Sequence, residues 1–130
     1  MDARIDVSPA TATNDVNSKH TITFTIQQND GFLASEGGDG VTGLALAPNG
    51  TVCTLSLLNN NIGASFVGGV NACGTSGGTC TVQINSSNAG SVDIRAKTIF
   101  TVGGLSLTRE TGTTATTQHG VDAHKVYVDA

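Results

Sequence analysis

From Val92 to Val102 the side chains alternate without interruption. Val92, Ile94, Ala96, Thr98, Phe100 and Val102 share one face, and Asp93, Arg95 and Lys97 share the other. Successive side chains of an extended strand point to opposite faces, so this segment reads as a strand with one side against a core and one in water. Such a strand needs a second apolar face to cover it. The same period recurs from Arg4 to Ser8 (Ile5, Val7), from His20 to Gln27 (Ile22, Phe24, Ile26 against Thr21, Thr23, Thr25) and from Cys80 to Asn85 (Val82, Ile84). Turn formers stand between these runs, at Asn29-Asp30-Gly31, Pro48-Asn49-Gly50, Asn59-Asn60-Asn61, Asn88-Ala89-Gly90 and Gly103-Gly104. No segment longer than a turn carries helical periodicity. The pattern predicts an all-β sandwich of at least seven strands in a single domain, residues 1–130.

Composition narrows the function classes. Only 12% of the residues are charged, against roughly a quarter in ordinary domains. The six Lys and Arg are scattered within a net charge of −4, whereas nucleic-acid binding needs a basic footprint; no nucleic-acid partner is expected. No apolar run approaches the roughly 20 residues of a spanning helix, so no membrane span is expected.

The remaining strands are read from weaker signals. Val41 to Ala47 and Val52 to Leu58 are expected to pair as a hairpin across Pro48-Asn49-Gly50. A weak strand is expected near Ala64 to Val67, another from Leu105 to Thr108, and a last one from Lys125 to Asp129 with Val126 and Val128 inward. Glu110 to Gly120, rich in Thr and Gly, reads as a long polar loop. The expected core is Ile5, Val7, Ile22, Phe24, Ile26, Leu55, Leu57, Val82, Ile84, Ile94, Phe100, Val126 and Val128.

Three cysteines leave one over. Cys73 and Cys80 enclose a glycine-rich turn, which brings two neighbouring strand ends within bonding range and predicts a disulfide. A zinc site is the rival reading, but Cys53, Cys73 and Cys80 lack a paired C-x-x-C spacing. Cys53 shares a face with Leu55 and Leu57 and reads as a small buried apolar residue. A disulfide implies an oxidising compartment, hence a location outside the cytosol, and the extracellular or cell-surface location expected here follows from the resemblance below.

With these strands in place, a family pattern emerges. Ser8-Pro9-Ala10-Thr11-Ala12-Thr13-Asn14, His20-Thr21-Ile22-Thr23-Phe24-Thr25, Gly78-Thr79-Cys80-Thr81-Val82, Ala89-Gly90 and Lys125-Val126-Tyr127-Val128-Asp129-Ala130 resemble tandem immunoglobulin-like repeats of large bacterial surface and adhesin-like proteins, of the Big type. The resemblance implies an immunoglobulin-like sandwich with an extracellular structural role and no catalytic residues. The two ends fit that picture. Asp2-Ala3 and Asp129-Ala130 are the same dipeptide, so one copy joined to the next runs from Asp129 and Ala130 directly into Arg4. Asp2, Ala3, Arg4, Asp129 and Ala130 are therefore expected to form a junction between neighbouring copies, head to tail.

Other chemistry is weighed against this. His20, His119 and His124 occur without a Gly-x-Ser-x-Gly elbow, and no enzyme is expected. His119, Asp122 and His124 have ligand-type residues at close spacing but read as surface groups. Acidic clusters at Asn29, Asp30, Glu36 and Asp39, or at Asp2, Asp6 and Asp129, invite calcium but lack an EF-hand spacing, and no cofactor is expected. The segment Ala123 to Ala130 resembles the reactive strand of peptide-tagging systems that form isopeptide bonds. The matching aspartate is Asp129, which would need a buried lysine (Lys19, Lys97 or Lys125) and a second carboxyl group (Glu36 or Glu110). A plain edge-strand aspartate is the expected role. The functional expectation is thus a stalk, spacer or fibre subunit. The alternative is a binding module that takes glycan, protein or calcium on the loops Glu110 to Gly120 or Asp30 to Asp39.

Overall fold

Period-two alternation becomes strand throughout, and the apolar faces of two sheets cover each other. The computed structural model describes residues 2–30 and 43–129. Within them the strands are β1 (Asp2–Ser8), β2 (Thr11–Asp15), β3 (His20–Asn29), β4 (Ala45–Leu46), β5 (Val52–Leu58), β6 (Ser65–Phe66), β7 (Ala72–Gly74), β8 (Thr79–Asn85), β9 (Gly90–Val102), β10 (Leu105–Glu110) and β11 (Ala123–Val128). One sheet has the order β1-β3-β8-β6, with β4 beside the end of β3. The other has the order β2-β11-β9-β5-β7, with β10 continuing along β9. A 3-10 turn at Val67–Gly69 is the one helical segment among the described residues.

The core lies between the sheets. Ile5, Ile22, Phe24, Ile26, Ile84 and Ile94 are completely buried, with Val82, Leu55, Val92 and Ala96 around them. Leu57 and Phe100 pack against this core while partly buried. On the outer face of the first sheet, the alternate positions of β3 and β8 hold two facing columns of hydroxyls. Thr23 stands opposite Thr81 and Thr25 opposite Thr79, and Gln83 Nε2 donates to Thr21 Oγ1 at 3.2 Å.

The first strand serves both sheets. β1 pairs antiparallel with β3, from Asp2 opposite Asn29 to Ser8 opposite Thr23. After Ser8 and a cis-Pro9 the chain crosses over, and β2 pairs parallel with β11, from Thr11 opposite His124 to Asp15 opposite Val128. β1 and β2 thus advance along the sandwich in one direction, and β11 runs alongside β2. Asp2 consequently lies at the pole that holds Asn29, and Val128 at the opposite pole.

Several expectations need correction. Pro48-Asn49-Gly50 does not close a hairpin. β4 pairs with β3 in one sheet and β5 with β9 in the other, so this turn carries the chain across the sandwich. Residues 41 and 42 of the expected strand lie outside the described residues. The last strand has the opposite phase: Ala123, Lys125 and Tyr127 face inward, Val126 is half-buried, and Val128 is 38% exposed. Pairing fixes this phase, because Lys125 lies opposite Val92 and Ala123 opposite Ile94, and directly opposed residues share a face. Tyr127 lies opposite Gly90, where any side chain would drive into Ile62.

These assignments separate two substitutions. Phe24→Ala is expected to destabilise by about 3–5 kcal/mol, as for other buried aromatics. Val128→Ala is expected to stay within about 0.5 kcal/mol, as for surface sites. Urea denaturation of both variants checks the inward face directly.

Candidate functional site

The residues that sequence reading singled out fall into four places. At the pole of Asp2, Arg109 on β10 reaches back across the open side of the sandwich. Its Nε donates to the Ala3 carbonyl and its Nη2 to Asp2 Oδ1, both at 2.8 Å. That guanidinium bond holds the Asp2 carboxyl below its ordinary pKa. Beside it, Arg4 forms a two-pronged pair with Asp6. Asp2 and Asp6 are thus each occupied by an arginine, and Asp129 lies at the far pole, exposed. Ala130, Glu36 and Asp39 lie outside the described residues. Among the described residues, no three His, Cys, Asp or Glu side chains converge as metal ligands.

The expected polar loop is tied down more than its composition suggested. Thr111 continues the β10 ladder, with its N–H bonded to the Ala96 carbonyl. The Thr111 hydroxyl accepts from the Ala96 N–H and donates to Asp122, which also takes a bidentate pair from Arg95. Further on, Ile5 N–H bonds to the Gln118 carbonyl and Gly120 N–H to the Ile5 carbonyl, so residues 118–120 run along the outer edge of β1. A Cβ at Gly120 would stand 2.5 Å from Asp6 Oδ1, so any larger residue there would have to displace the Asp6 carboxylate from its pairing with Arg4. The histidines go separate ways. His119 Nδ1 meets the Gly120 carbonyl, while His124 Nδ1 meets Asp93 Oδ1 at 2.6 Å. The His124 bond, followed by one from Asn59, holds the Asp93 carboxyl below its ordinary pKa. A shallow cavity of about 190 Å³ lies beside this network, lined by Asp93, Gly112, Thr113, Val121 and Asp122.

The cysteines form one cluster. Cys73 on β7 and Cys80 on β8 are bonded, and this disulfide joins the two sheets along one open side. Cys53 stands directly opposite Cys73 in the β5–β7 ladder, fully buried and free. Burial pushes its thiol up to about 12, so the thiolate needed to attack the neighbouring disulfide is suppressed.

The fourth place was missed by sequence reading in its essential part. Lys125 is 1% exposed, and its Nζ donates to Asn14 Oδ1 on β2 while lying 5.1 Å from the Tyr127 ring centre. Desolvation lowers the Lys125 pKa. His20 is also lowered, by its own burial first and by the Lys125 charge second. The Tyr127 hydroxyl is buried without a hydrogen-bond partner among the described residues, and its pKa is pushed up to about 12 by burial. Lys125, a candidate partner of Asp129 in an isopeptide bond, points inward to the Asn14 amide, while Asp129 is exposed. The available signal was the other phase of the last strand, Ala123, Lys125 and Tyr127, which places an aromatic inward at the cost of a lysine.

With this geometry in view, comparison places the fold. No family model matches the chain, and no curated protein matches it in sequence. Among solved structures, the D00-D0 domain of Intimin is similar, with a TM-score of 0.52 and 16% identity. The match covers 99% of this chain and 48% of that one, so this chain spans about half its length. The chain is an immunoglobulin-like β-sandwich.

Two measurements test the buried groups. Non-reducing peptide mapping is expected to link Cys73 only to Cys80 and to leave Cys53 unalkylated until the protein unfolds. Intact mass is expected to fall short of the sequence by two hydrogens and nothing more. For Lys125, the folded amine binds its proton more weakly than the unfolded one. The unfolded state therefore holds more protons below the ordinary lysine range, and this group adds stability as pH rises toward that range. Lys125→Met is expected to remove that rising component and to raise the His20 pKa seen by NMR titration.

Proposed function

We propose that this chain is a structural module (a stalk, spacer or fibre subunit) of a secreted or cell-surface bacterial protein, acting without catalysis. One observation carries the reading: the first strand enters at one pole and the last strand leaves at the other, through β2 and β11 running parallel. A module with that geometry propagates along its own axis when joined to another. The fold similarity to a domain of Intimin, a bacterial adhesin, supports the setting, and the disulfide supports an oxidising compartment.

In this reading Asp129 and Ala130 of one copy lead into Arg4 of the next, with the Asp2-Ala3 position shared. The junction contains no Gly or Pro, and Arg109 anchors its downstream side at Asp2 and the Ala3 carbonyl. Linker stiffness follows composition, so bending at the joint is restricted. Residues 118–120, at the end of the Glu110 to Gly120 loop, serve the module itself by hydrogen bonding along β1, which supports the structural role.

A two-copy protein joined at this junction is expected to scatter at small angles as an extended, stiff particle. Copies folded back on one another would contradict the reading.

A further inference from the structure

Resting on the stalk reading, we propose that the bond from the buried Lys125 to Asn14 is a force-carrying tie between the strand that receives tension and the strand that passes it on. Tension applied at the two poles draws β1 and β2 toward the pole of Asp2 and β11 toward the pole of Val128. β2 and β11 are direct, parallel neighbours, so that tension slides them past each other along their length. The backbone ladder between them is extended at both ends, by His124 N–H to the Ala10 carbonyl at 2.8 Å and Val16 N–H to the Val128 carbonyl at 2.9 Å. In sliding, these bonds are strained together and do not open one by one.

Lys125 adds a connection of a different kind. The Lys125 side chain is buried and Asn14 half-buried, which limits the solvent that competes for the bond. The side chain stands opposite Ala12 but reaches diagonally to Asn14, one step farther toward the pole of Val128. That is the direction in which tension moves β11. The tie therefore outlasts the first slip of the backbone ladder and holds the two strands near enough to re-form it. An apolar residue would give equal or better equilibrium stability, because a buried charge costs desolvation free energy that packing does not. Apolar contact is non-directional, however, and offers no comparable grip against sliding.

The test holds a single module at constant force between residues 2 and 128 and records how long it stays folded. Lys125→Met and Asn14→Ala are expected to shorten that lifetime at least several-fold. In chemical denaturation, the midpoint of Lys125→Met is expected to be no lower than that of the parent. Tension applied between residues 2 and 104, which does not slide β2 along β11, is expected to show no difference between Lys125→Met and the parent. Lifetimes within about twofold of the parent in the first geometry would overturn the tie, as would an equal loss in both geometries. Because this measurement uses one module and the scattering experiment two, either conclusion can fail while the other stands.

Discussion

The crossing of the chain from β1 to β2 is the constraint on which the remaining structure depends. One continuous segment completes the antiparallel ladder with β3 and then the parallel ladder with β11, so the two sheets are held in fixed relation from the outset. Parallel neighbours cannot be joined by a tight turn. Here they are the first and last segments of the domain, and everything between them serves as the connection. The direction of β11, the location of both chain ends and the inward phase of Lys125 follow from that arrangement together with the β9–β11 register.

The two open sides of the sandwich are closed by different means. On one side the closure is covalent, through Cys73 and Cys80 on strands of opposite sheets. On the other it is polar: Arg109 reaches to Asp2 and Ala3, and residues 118–120 bond along β1. That second closure also shields an edge strand whose free N–H and C=O groups would otherwise be a template for unwanted pairing. Cys53, opposite Cys73 in the ladder, is held back from exchange with the disulfide by desolvation of its thiol.

Much of the fold was legible because burial on one face leaves a period-two trace. β3, β5, β8 and β9 carry that trace strongly, and the structure keeps their apolar inward faces, with Leu57, Cys80 and Phe100 less than fully covered. β2 was not legible: Thr11–Asp15 has alternate positions that are only half-buried and no apolar stripe to announce a strand. β11 misled because both of its faces are plausible, and two valines outweighed one tyrosine until register with β9 was known. The Pro48-Asn49-Gly50 turn is a real turn, but local signals cannot say whether the next strand joins the same sheet or the opposite one. The candidate site was legible in its disulfide. Its Lys125–Asn14 bond was not, since it joins residues 111 positions apart.

The threonine columns on the outer face of β3 and β8 bear on how such a module meets its solvent. Hydroxyls keep that face wetted without charge, and the whole chain has only 12% charged residues. Salt acts on exposed charges by screening them over a Debye length, and here there is little to screen. Surface hydration carried by hydroxyl groups does not depend on counterions. The hydration of that face therefore depends little on ionic strength.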